Sequence, residues 1–222
     1  IPIDAGTFPL KIAVDHYGKV YILTAIGFNI YENNQWKSYD FSSYFGLGPG
    51  YSINAIDIDK NNIVWIATSE GLVKYSPGHP EIITTTNGLI SNNIYDVKST
   101  LDNIVHFSYT YQGFGTLEGS IVKNYSIGDD RTDLYGIKIV VNPDGTLTFI
   151  NKLYGLLHYN LNTSKIEVYP DSLIQSFRWA SISKGNQSDY WIASNKGLTY
   201  FKDFKFEHYT KKTGLASNQI TS

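Results

Sequence analysis

The stretch NNIVWIATSEGLVKY, residues 61–75, decides the fold of this chain. Residues 63–67 are all apolar, and Ser-Glu-Gly then separates them from a second apolar run. A strand with one solvent-exposed face should alternate apolar and polar side chains, and this strand does not. Both of its faces are therefore expected to be covered by neighbouring sheets.

Copies of this stretch recur along the chain. Segments 16–31, 143–159 and 188–201 align with 60–75, and a weaker copy lies at 101–125. The repeat position of the tryptophan recurs about every 42 residues, which is the length of a propeller blade. That position is held in turn by Tyr21, Trp65, His106, Thr148 and Trp191.

Each repeat is predicted to form four short strands joined by tight turns, without helical periodicity. We therefore predict an all-β β-propeller of four-stranded antiparallel blades, because a fixed period over five copies disfavours a β-sandwich or unrelated hairpins. Residues 1–222 form the predicted propeller segment. Its repeats are 10–52, 53–93, 94–136, 137–178 and 179–219, and a sixth begins at 220.

Two tryptophans and three glycines are expected to have structural roles. Trp65 and Trp191 hold the same repeat position, and we expect both side chains to be buried between blades. Gly71, Gly155 and Gly197 follow the apolar strand at the turn into the third strand, where a glycine permits a tight reversal of the chain.

Three segments resemble a known repeat family. DIDKNNIVWIATSEGLVKY (57–75), TTNGLISNNIYDV (85–97) and KKTGLASNQITS (211–222) are similar to the two-component-regulator propeller repeat, and the resemblance covers most of residues 10–222. The chain departs from the family pattern at four positions. Alanine replaces glycine at Ala67 and Ala193, and tryptophan is replaced at His106 and Thr148.

The resemblance implies the periplasmic sensor region of a Bacteroidetes hybrid two-component system. By this resemblance, the region would detect oligosaccharides and would precede a membrane span and a histidine kinase in a longer chain. The expected partners are accordingly an oligosaccharide and the remainder of a longer sensor chain. Family propellers usually have seven blades, so five repeats predict a segment of a longer propeller. A closed five-bladed ring with a terminal latch is the alternative.

The chain end supports the interpretation as a segment. NQITS (218–222) matches NNIYD (92–96) at the start of the third repeat, so the sequence stops inside a strand. An unfinished blade leaves a strand edge that pairs readily with another chain. A homodimer is therefore a further expectation.

Composition excludes several classes of function. Charged residues are 17% of the chain, the formal net charge is −2, and the two arginines, Arg131 and Arg178, form no basic cluster. Nucleic-acid binding is therefore not expected. The chain has no cysteine, which excludes disulfides and thiolate metal sites.

No catalytic, metal or cofactor site is predicted. The five histidines lack metal-ligand spacing, and no Gly-x-Ser-x-Gly elbow is present. DIDKNN (57–62) imitates the start of a calcium loop but lacks its glycine and its glutamate, so the aspartates are interpreted as turn residues. GDDRTD (128–133) is interpreted as a solvated charged loop, with an acid/base pair as the alternative.

Aromatic loops are predicted to gather at one mouth of the central channel. They lead into the innermost strand of a blade or join its two middle strands. Aromatic rings stack on the apolar faces of sugars, and an arginine forks onto acidic groups. Packing between blades is the alternative role for these rings. The candidate ligand-binding residues are Tyr51, Tyr95, Tyr109, Tyr111, Tyr135, Tyr154, Arg178 and Trp179.

Three functions remain open from the sequence. The first is a non-enzymatic, extracytoplasmic sensing propeller that binds an oligosaccharide. The second is a propeller enzyme, either a polysaccharide lyase or a glycosidase, because a fold does not define an activity. The third is a protein-interaction scaffold of the cell envelope, which should expose an apolar patch.

Overall fold

The computed structural model describes six ranges of the chain: 9–111, 113–126, 138–151, 154–177, 180–186 and 189–220. These residues form five four-stranded antiparallel sheets, in each of which the strands follow one another in chain order. The prediction of an all-β fold built from four-stranded blades is confirmed. The chain divides into two compact units, Ile1–Asp130 and Arg131–Ser222.

The first unit contains three sheets. The first sheet is formed by β1 (Pro9–Val14), β2 (Val20–Thr24), β3 (Gly27–Glu32) and β4 (Gln35–Asp40), and helix α1 (Phe41–Phe45) follows it. The second is formed by β5 (Ile53–Ile58), β6 (Val64–Thr68), β7 (Gly71–Ser76) and β8 (His79–Ile83), and a 3₁₀ turn (Thr85–Asn87) follows it. The third is formed by β9 (Ile94–Ser99), β10 (Ile104–Tyr109), β11 (Phe114–Glu118) and β12 (Ile121–Tyr125).

The second unit contains two sheets. The fourth sheet is formed by β13 (Ile139–Val141), β14 (Leu147–Asn151), β15 (Gly155–Asn160) and β16 (Lys165–Tyr169), and helix α2 (Ser172–Gln175) follows it. The fifth is formed by β17 (Ala180–Lys184), β18 (Tyr190–Ser194), β19 (Gly197–Lys202) and β20 (Lys205–Tyr209), and a 3₁₀ turn (Lys211–Thr213) follows it.

Strand β6 is covered on both faces, as its unbroken apolar run predicts. All five of its residues are buried. Val64 and Ile66 belong to the core shared with the first sheet, whereas Trp65 and Ala67 belong to the core shared with the third. Because successive side chains of a strand point to opposite faces, two packed neighbours require two apolar sets.

The repeated Gly-Leu-x-Ser-Asn motif has a structural cause. After the second sheet, the Thr85 amide donates to Asn92 Oδ1 over 2.8 Å, and after the fifth sheet the Lys211 amide donates to Asn218 Oδ1 over 2.7 Å. In both places the asparagine fastens the 3₁₀ turn to the segment that follows it. Residues 85–97 and 211–222 are therefore similar in sequence because both form the same connection after a sheet.

Gly71 shows why the third strand of a blade begins with glycine. Its φ is +144°, a backbone conformation that residues with a side chain rarely adopt. A Cβ there would lie 2.6 Å from the carbonyl oxygen of Ile83 on the neighbouring strand. Gly155 and Gly197 also have positive φ and an equally close carbonyl oxygen.

The two tryptophans at the same repeat position have different environments. Trp65 is 5% exposed, and its Nε1 donates to Asp59 Oδ2 over 3.1 Å. Trp191 is 37% exposed, and its burial between blades stays a prediction, because Trp65 is covered by the sheet that follows its own and no sheet follows the fifth among the described residues. The position of Asp59 in the β17–β18 turn is held by Gly185, which offers no carboxylate to the indole. Trp191 instead lies against Tyr200, with ring centroids 4.4 Å apart.

Of the two aspartates in the imitated calcium loop, Asp59 is a turn residue, as expected. Asp57 instead lies in β5, and its Oδ2 accepts from the Ser99 amide of the third sheet over 2.6 Å. Asp59 Oδ1 accepts from the amides of Asn61 and Ile63 over 2.9 and 3.0 Å. Asp15 Oδ1 accepts from the amides of Tyr17 and Lys19 in the same way. The carboxylates of Asp59 and Asp15 therefore replace the backbone partners that a tight turn leaves unpaired.

Candidate functional site

The tyrosines predicted for the channel mouth have unequal exposure. Tyr51 is half-buried and packs edge-on against Phe41, with ring centroids 5.8 Å apart. Tyr95 and Tyr154 are half-buried, and burial raises the pKa of Tyr95. Tyr111 is exposed. Three other candidates, Tyr135, Arg178 and Trp179, lie outside the described residues, as does the charged loop 128–133.

Tyr109 is a core residue and not a ligand-facing one. Its side chain has no exposed surface, and its hydroxyl donates to Asn124 Oδ1 over 2.5 Å. The same hydroxyl accepts from the Ile90 amide over 3.1 Å. The prediction of a ligand contact at Tyr109 is therefore wrong, because strand β10 packs this ring inside the third sheet's core.

The second unit contains a cleft of about 660 Å³ that sequence analysis did not predict. Turns β13–β14, β17–β18 and β19–β20 contribute to it, together with strands β15 and β16. Because successive turns of an antiparallel sheet alternate between its two ends, these turns lie opposite the loops predicted for the mouth. The cleft is lined by Asn142, Pro143, Asp144, Thr146, His158, Glu167, Tyr169, Lys184, Asn186, Asp189, Tyr190, Phe201, Lys202, Asp203 and Phe204.

Aromatic rings form one wall of the cleft. The Tyr169 ring lies 5.6 Å from Phe204 and 5.2 Å from Phe201, measured between centroids. His158 meets Tyr169 edge-on at 5.1 Å. Phe201 is buried, but Phe204 is 75% exposed, so the wall continues from the core into solvent.

A closed ring of hydrogen bonds joins two residues that line the cleft, Asn142 and Tyr190, to Thr148. Asn142 Nδ2 donates to Thr148 Oγ1 over 2.8 Å, this hydroxyl donates to the Tyr190 hydroxyl over 3.0 Å, and Tyr190 donates to Asn142 Oδ1 over 2.8 Å. All three side chains are buried. A buried polar network in which every member has a partner holds neighbouring sheets in one arrangement.

Two polar atoms at the cleft lack a partner among the described residues. They are His158 Nε2 and Asp189 Oδ1, and both are buried. The other oxygen of Asp189 accepts from the Tyr200 hydroxyl over 2.6 Å. Burial lowers the pKa of His158, against the opposing effect of Glu167 and Asp144, and thus favours the neutral imidazole. Unpaired buried polar atoms are rare, and each calls for an explanation such as a ligand or a bound water.

The rim of the cleft carries charges of both signs, from Asp144, Glu167, Lys184, Lys202 and Asp203. Hydrogen bonds from Lys165 and Tyr169 lower the pKa of Glu167. Burial opposes ionisation of Asp144, but hydrogen bonds from Thr146 outweigh it and lower the pKa of that carboxyl. A general acid at neutral pH needs a raised carboxyl pKa, so neither carboxyl is suited to that role.

A hydroxyl, an imidazole and a carboxylate form a chain next to this unit's core. Thr199 Oγ1 lies 2.9 Å from His208 Nδ1, and His208 Nε2 lies 3.1 Å from Asp171 Oδ2. The order is that of a nucleophilic triad, but Thr199 has no exposed surface. The chain therefore joins the fifth sheet to the cap of α2, where Asp171 Oδ1 also accepts from two helix amides.

Two further properties bear on function. Within the described ranges, no group of three or more histidine, aspartate or glutamate side chains is arranged to hold a metal ion. The helices in those ranges are all too short or too polar to cross a bilayer.

Sequence comparison identifies no relative: no protein family profile and no curated protein matches the chain. Structure comparison, in contrast, identifies solved structures with a similar fold. The extracellular domain of BT3049 from B. thetaiotaomicron, a protein assigned to the hybrid two-component systems, has a TM-score of 0.73 at 20% identity, over 91% of this chain and 30% of that domain. This chain thus spans about a third of that domain's length.

Two other solved structures are similar. Virginiamycin B lyase from Staphylococcus aureus has a TM-score of 0.75 at 14% identity, over 93% of this chain and 71% of the lyase. YCF48 bound to a D1 peptide has a TM-score of 0.69 at 11% identity, over the whole of this chain and 73% of YCF48. At such identities the likeness shows a common fold, and the predicted β-propeller class is confirmed.

Proposed function

We propose that this chain belongs to an extracytoplasmic sensing propeller of a two-component signalling protein, and that it binds an oligosaccharide without altering it. The observation that carries this proposal is the cleft of the second unit, with its aromatic wall and its charged rim. Similarity to the extracellular BT3049 domain and resemblance to the two-component-regulator repeat support the sensor role and the periplasmic location.

The composition of the cleft suits sugars. Their hydroxyl groups donate to carboxylates and accept from ammonium groups, and the rim offers both through Asp144 and Lys184. Their C–H faces pack on aromatic rings such as Tyr169. A cleft of several hundred Å³ holds a ligand of two or three rings.

Three groups at or near the cleft support binding without turnover. The rim carboxyls with a shifted pKa, Asp144 and Glu167, are both held in the ionised form. The hydroxyl of Thr199 is inaccessible to a ligand. These two carboxyls are therefore unsuited to general acid catalysis, and the Thr199 hydroxyl is unsuited to nucleophilic attack on a ligand.

The experiment is calorimetric titration of the protein with a panel of neutral and acidic oligosaccharides, followed by chromatography of the recovered ligand. We expect at least one ligand to bind and to be recovered intact. Lys184→Ala should weaken that binding about tenfold, the effect of losing one charged hydrogen bond. Tyr111→Ala, at the predicted mouth, is the matched control and should bind like the parent.

Three other results would contradict the proposed site, the absence of turnover or the sugar ligand, respectively. If Tyr111→Ala weakens binding and Lys184→Ala does not, the ligand lies at the predicted mouth and the cleft is excluded. If the recovered ligand is cleaved, the protein is an enzyme. If no oligosaccharide binds, sugar sensing is rejected.

A further inference from the structure

The hairpin turn between β19 and β20 holds an aromatic residue in a backbone conformation that disfavours it. Asp203 and Phe204 have φ of +48° and +61°, in the left-handed region. Asparagine, aspartate and glycine tolerate this region, but for a bulky side chain it is an outlier. The same two-residue turn of the first sheet is formed by Asn33 and Asn34, with φ of +51° and +60°.

Burial does not account for Phe204 either. The side chain is 75% exposed, and the ring contact described for it is with Tyr169, at 5.6 Å and an interplanar angle of 32°. A ring so exposed recovers little of the free energy that apolar burial provides. Backbone preference thus disfavours phenylalanine at this position, and burial does not compensate for it. Strained residues that the fold does not require are concentrated at ligand sites.

We propose that Phe204 and Tyr169 form an aromatic platform at the rim of the cleft, on which one pyranose ring of the oligosaccharide stacks. The inference deepens the proposed function and rests on it. Both rings line the cleft, and so do Lys202 and Asp203 in the same hairpin. The rings contact the C–H face of the sugar, while the ammonium and carboxylate groups reach the hydroxyls at its edge.

The platform therefore selects a ring that presents an unbroken face of C–H groups. A sugar with an axial substituent on that face would hold the two planes apart and lose the contact. The orientation of the Tyr169 ring is fixed by two contacts: its hydroxyl donates to Glu167 Oε2 over 2.9 Å, and its ring packs on buried Phe201. Phe204 extends the surface beyond the edge of the sheet.

The test combines binding with stability. Phe204→Asn reproduces the turn chemistry of Asn34, so the variant should unfold at a higher temperature than the parent while binding the oligosaccharide at least tenfold more weakly. Phe204→Tyr keeps the ring and should bind within threefold of the parent. Asn34→Phe, the reverse change in the first sheet, should lower the unfolding temperature and leave binding unchanged.

The outcomes separate this inference from the proposed function. If the parent binds an oligosaccharide and Phe204→Asn binds it equally well, the platform is rejected and the sensing function stands. If Phe204→Asn unfolds at a lower temperature, Phe204 serves the fold and the platform is again rejected. If the parent binds no member of the panel, the proposed function fails, and the platform fails with it.

Discussion

The carboxylate of Asp189 lies directly over Gly185, so close that a Cβ on the glycine would approach Oδ1 to 2.8 Å. In the second sheet the turn carboxylate comes from Asp59, at the position equivalent to Gly185. The fifth sheet therefore supplies the same chemical group from a residue four positions later. Its hydrogen-bond donor changes as well, from a tryptophan on the second strand to Tyr200 on the third.

This exchange predicts unequal roles for the two tryptophans. Trp65→Ala should lower the free energy of unfolding by about 3–5 kcal/mol, because it opens a cavity in a packed core and removes the indole donor of Asp59 Oδ2. Trp191→Ala should cost less than about 1.5 kcal/mol, since that ring is partly solvated. Urea denaturation of both variants measures the difference. Equal losses would show that Trp191 is as firmly packed as Trp65.

The turn glycines predict a second contrast. Gly71→Ala should destabilise the fold by more than about 2 kcal/mol, because it adds a clash with the Ile83 carbonyl to an unfavourable φ. Gly18→Ala is the matched control, since Gly18 has φ +81° and open space at its Cβ. It should lose only about 1 kcal/mol. Thermal unfolding of the two variants distinguishes them, and an equal effect would exclude the clash.

Buried His106 predicts that stability falls in mild acid. Burial lowers the pKa of this imidazole from 6.5 to about 4, although Asp102 opposes the shift. Between these values the unfolded chain binds a proton that the folded chain does not. The contribution of His106 is therefore complete above pH 6.5 and is lost as the pH falls toward 4, by about 3 kcal/mol.

His106→Thr tests this pH dependence, because Thr148 holds the same repeat position in the fourth sheet. The variant should lose less stability than the parent between pH 7.5 and pH 4.5 in urea denaturation. His79→Thr, at an exposed histidine, is the control. Parallel pH profiles for the parent and His106→Thr would contradict the assignment.

An exposed apolar strip on the first strand predicts self-association. Ile12 and Val14 alternate along β1, which places them on one face, and both are exposed, as is Leu10 at the bulge that precedes them. Ile56 and Ile58 of β5 are packed against the core that the first two sheets share. We therefore expect the strip to bind a second copy of the chain, as in the homodimer that sequence analysis predicts.

Sedimentation velocity over a range of concentrations tests this expectation. The parent should associate reversibly, and Ile12→Lys should shift it toward the monomer. Tyr17→Lys changes an equally exposed residue outside the strip and should leave association unchanged. A parent that remains monomeric at every concentration would rule the strip out as a contact.

Part of the architecture was predictable because it is periodic. Four strands per repeat, glycine at the start of the third strand and a doubly buried β6 all follow from local chemistry that recurs about every 42 residues. The turn roles of Asp15 and Asp59 were also correctly predicted, because the backbone amides from which they accept lie only two to four residues along the chain. The strands and turns therefore do not depend on how the sheets face one another.

The candidate site was not predictable in this way. His158, Tyr169 and Phe204 come from three strands or turns of two sheets, and no spacing in the sequence joins them. The one local signal was Lys-Asp-Phe-Lys at 202–205, an aromatic residue in a turn where the first repeat has asparagine. The role of Tyr109 was wrongly predicted for a related reason, since its residue type and position do not reveal what packs against it.

The sequence by itself determined the repeat, the strands and the turns, because hydrogen bonds between neighbouring strands and the alternation of side chains act over short distances along the chain. Only the tertiary structure decided which aromatic rings are buried and where a cleft opens. Those properties depend on the facing surfaces of two sheets. On those surfaces a single difference between repeats can change which side chains meet. Gly185 stands where the second sheet has Asp59, and the backbone pattern is intact, but the carboxylate now comes from Asp189 and its donor is Tyr200.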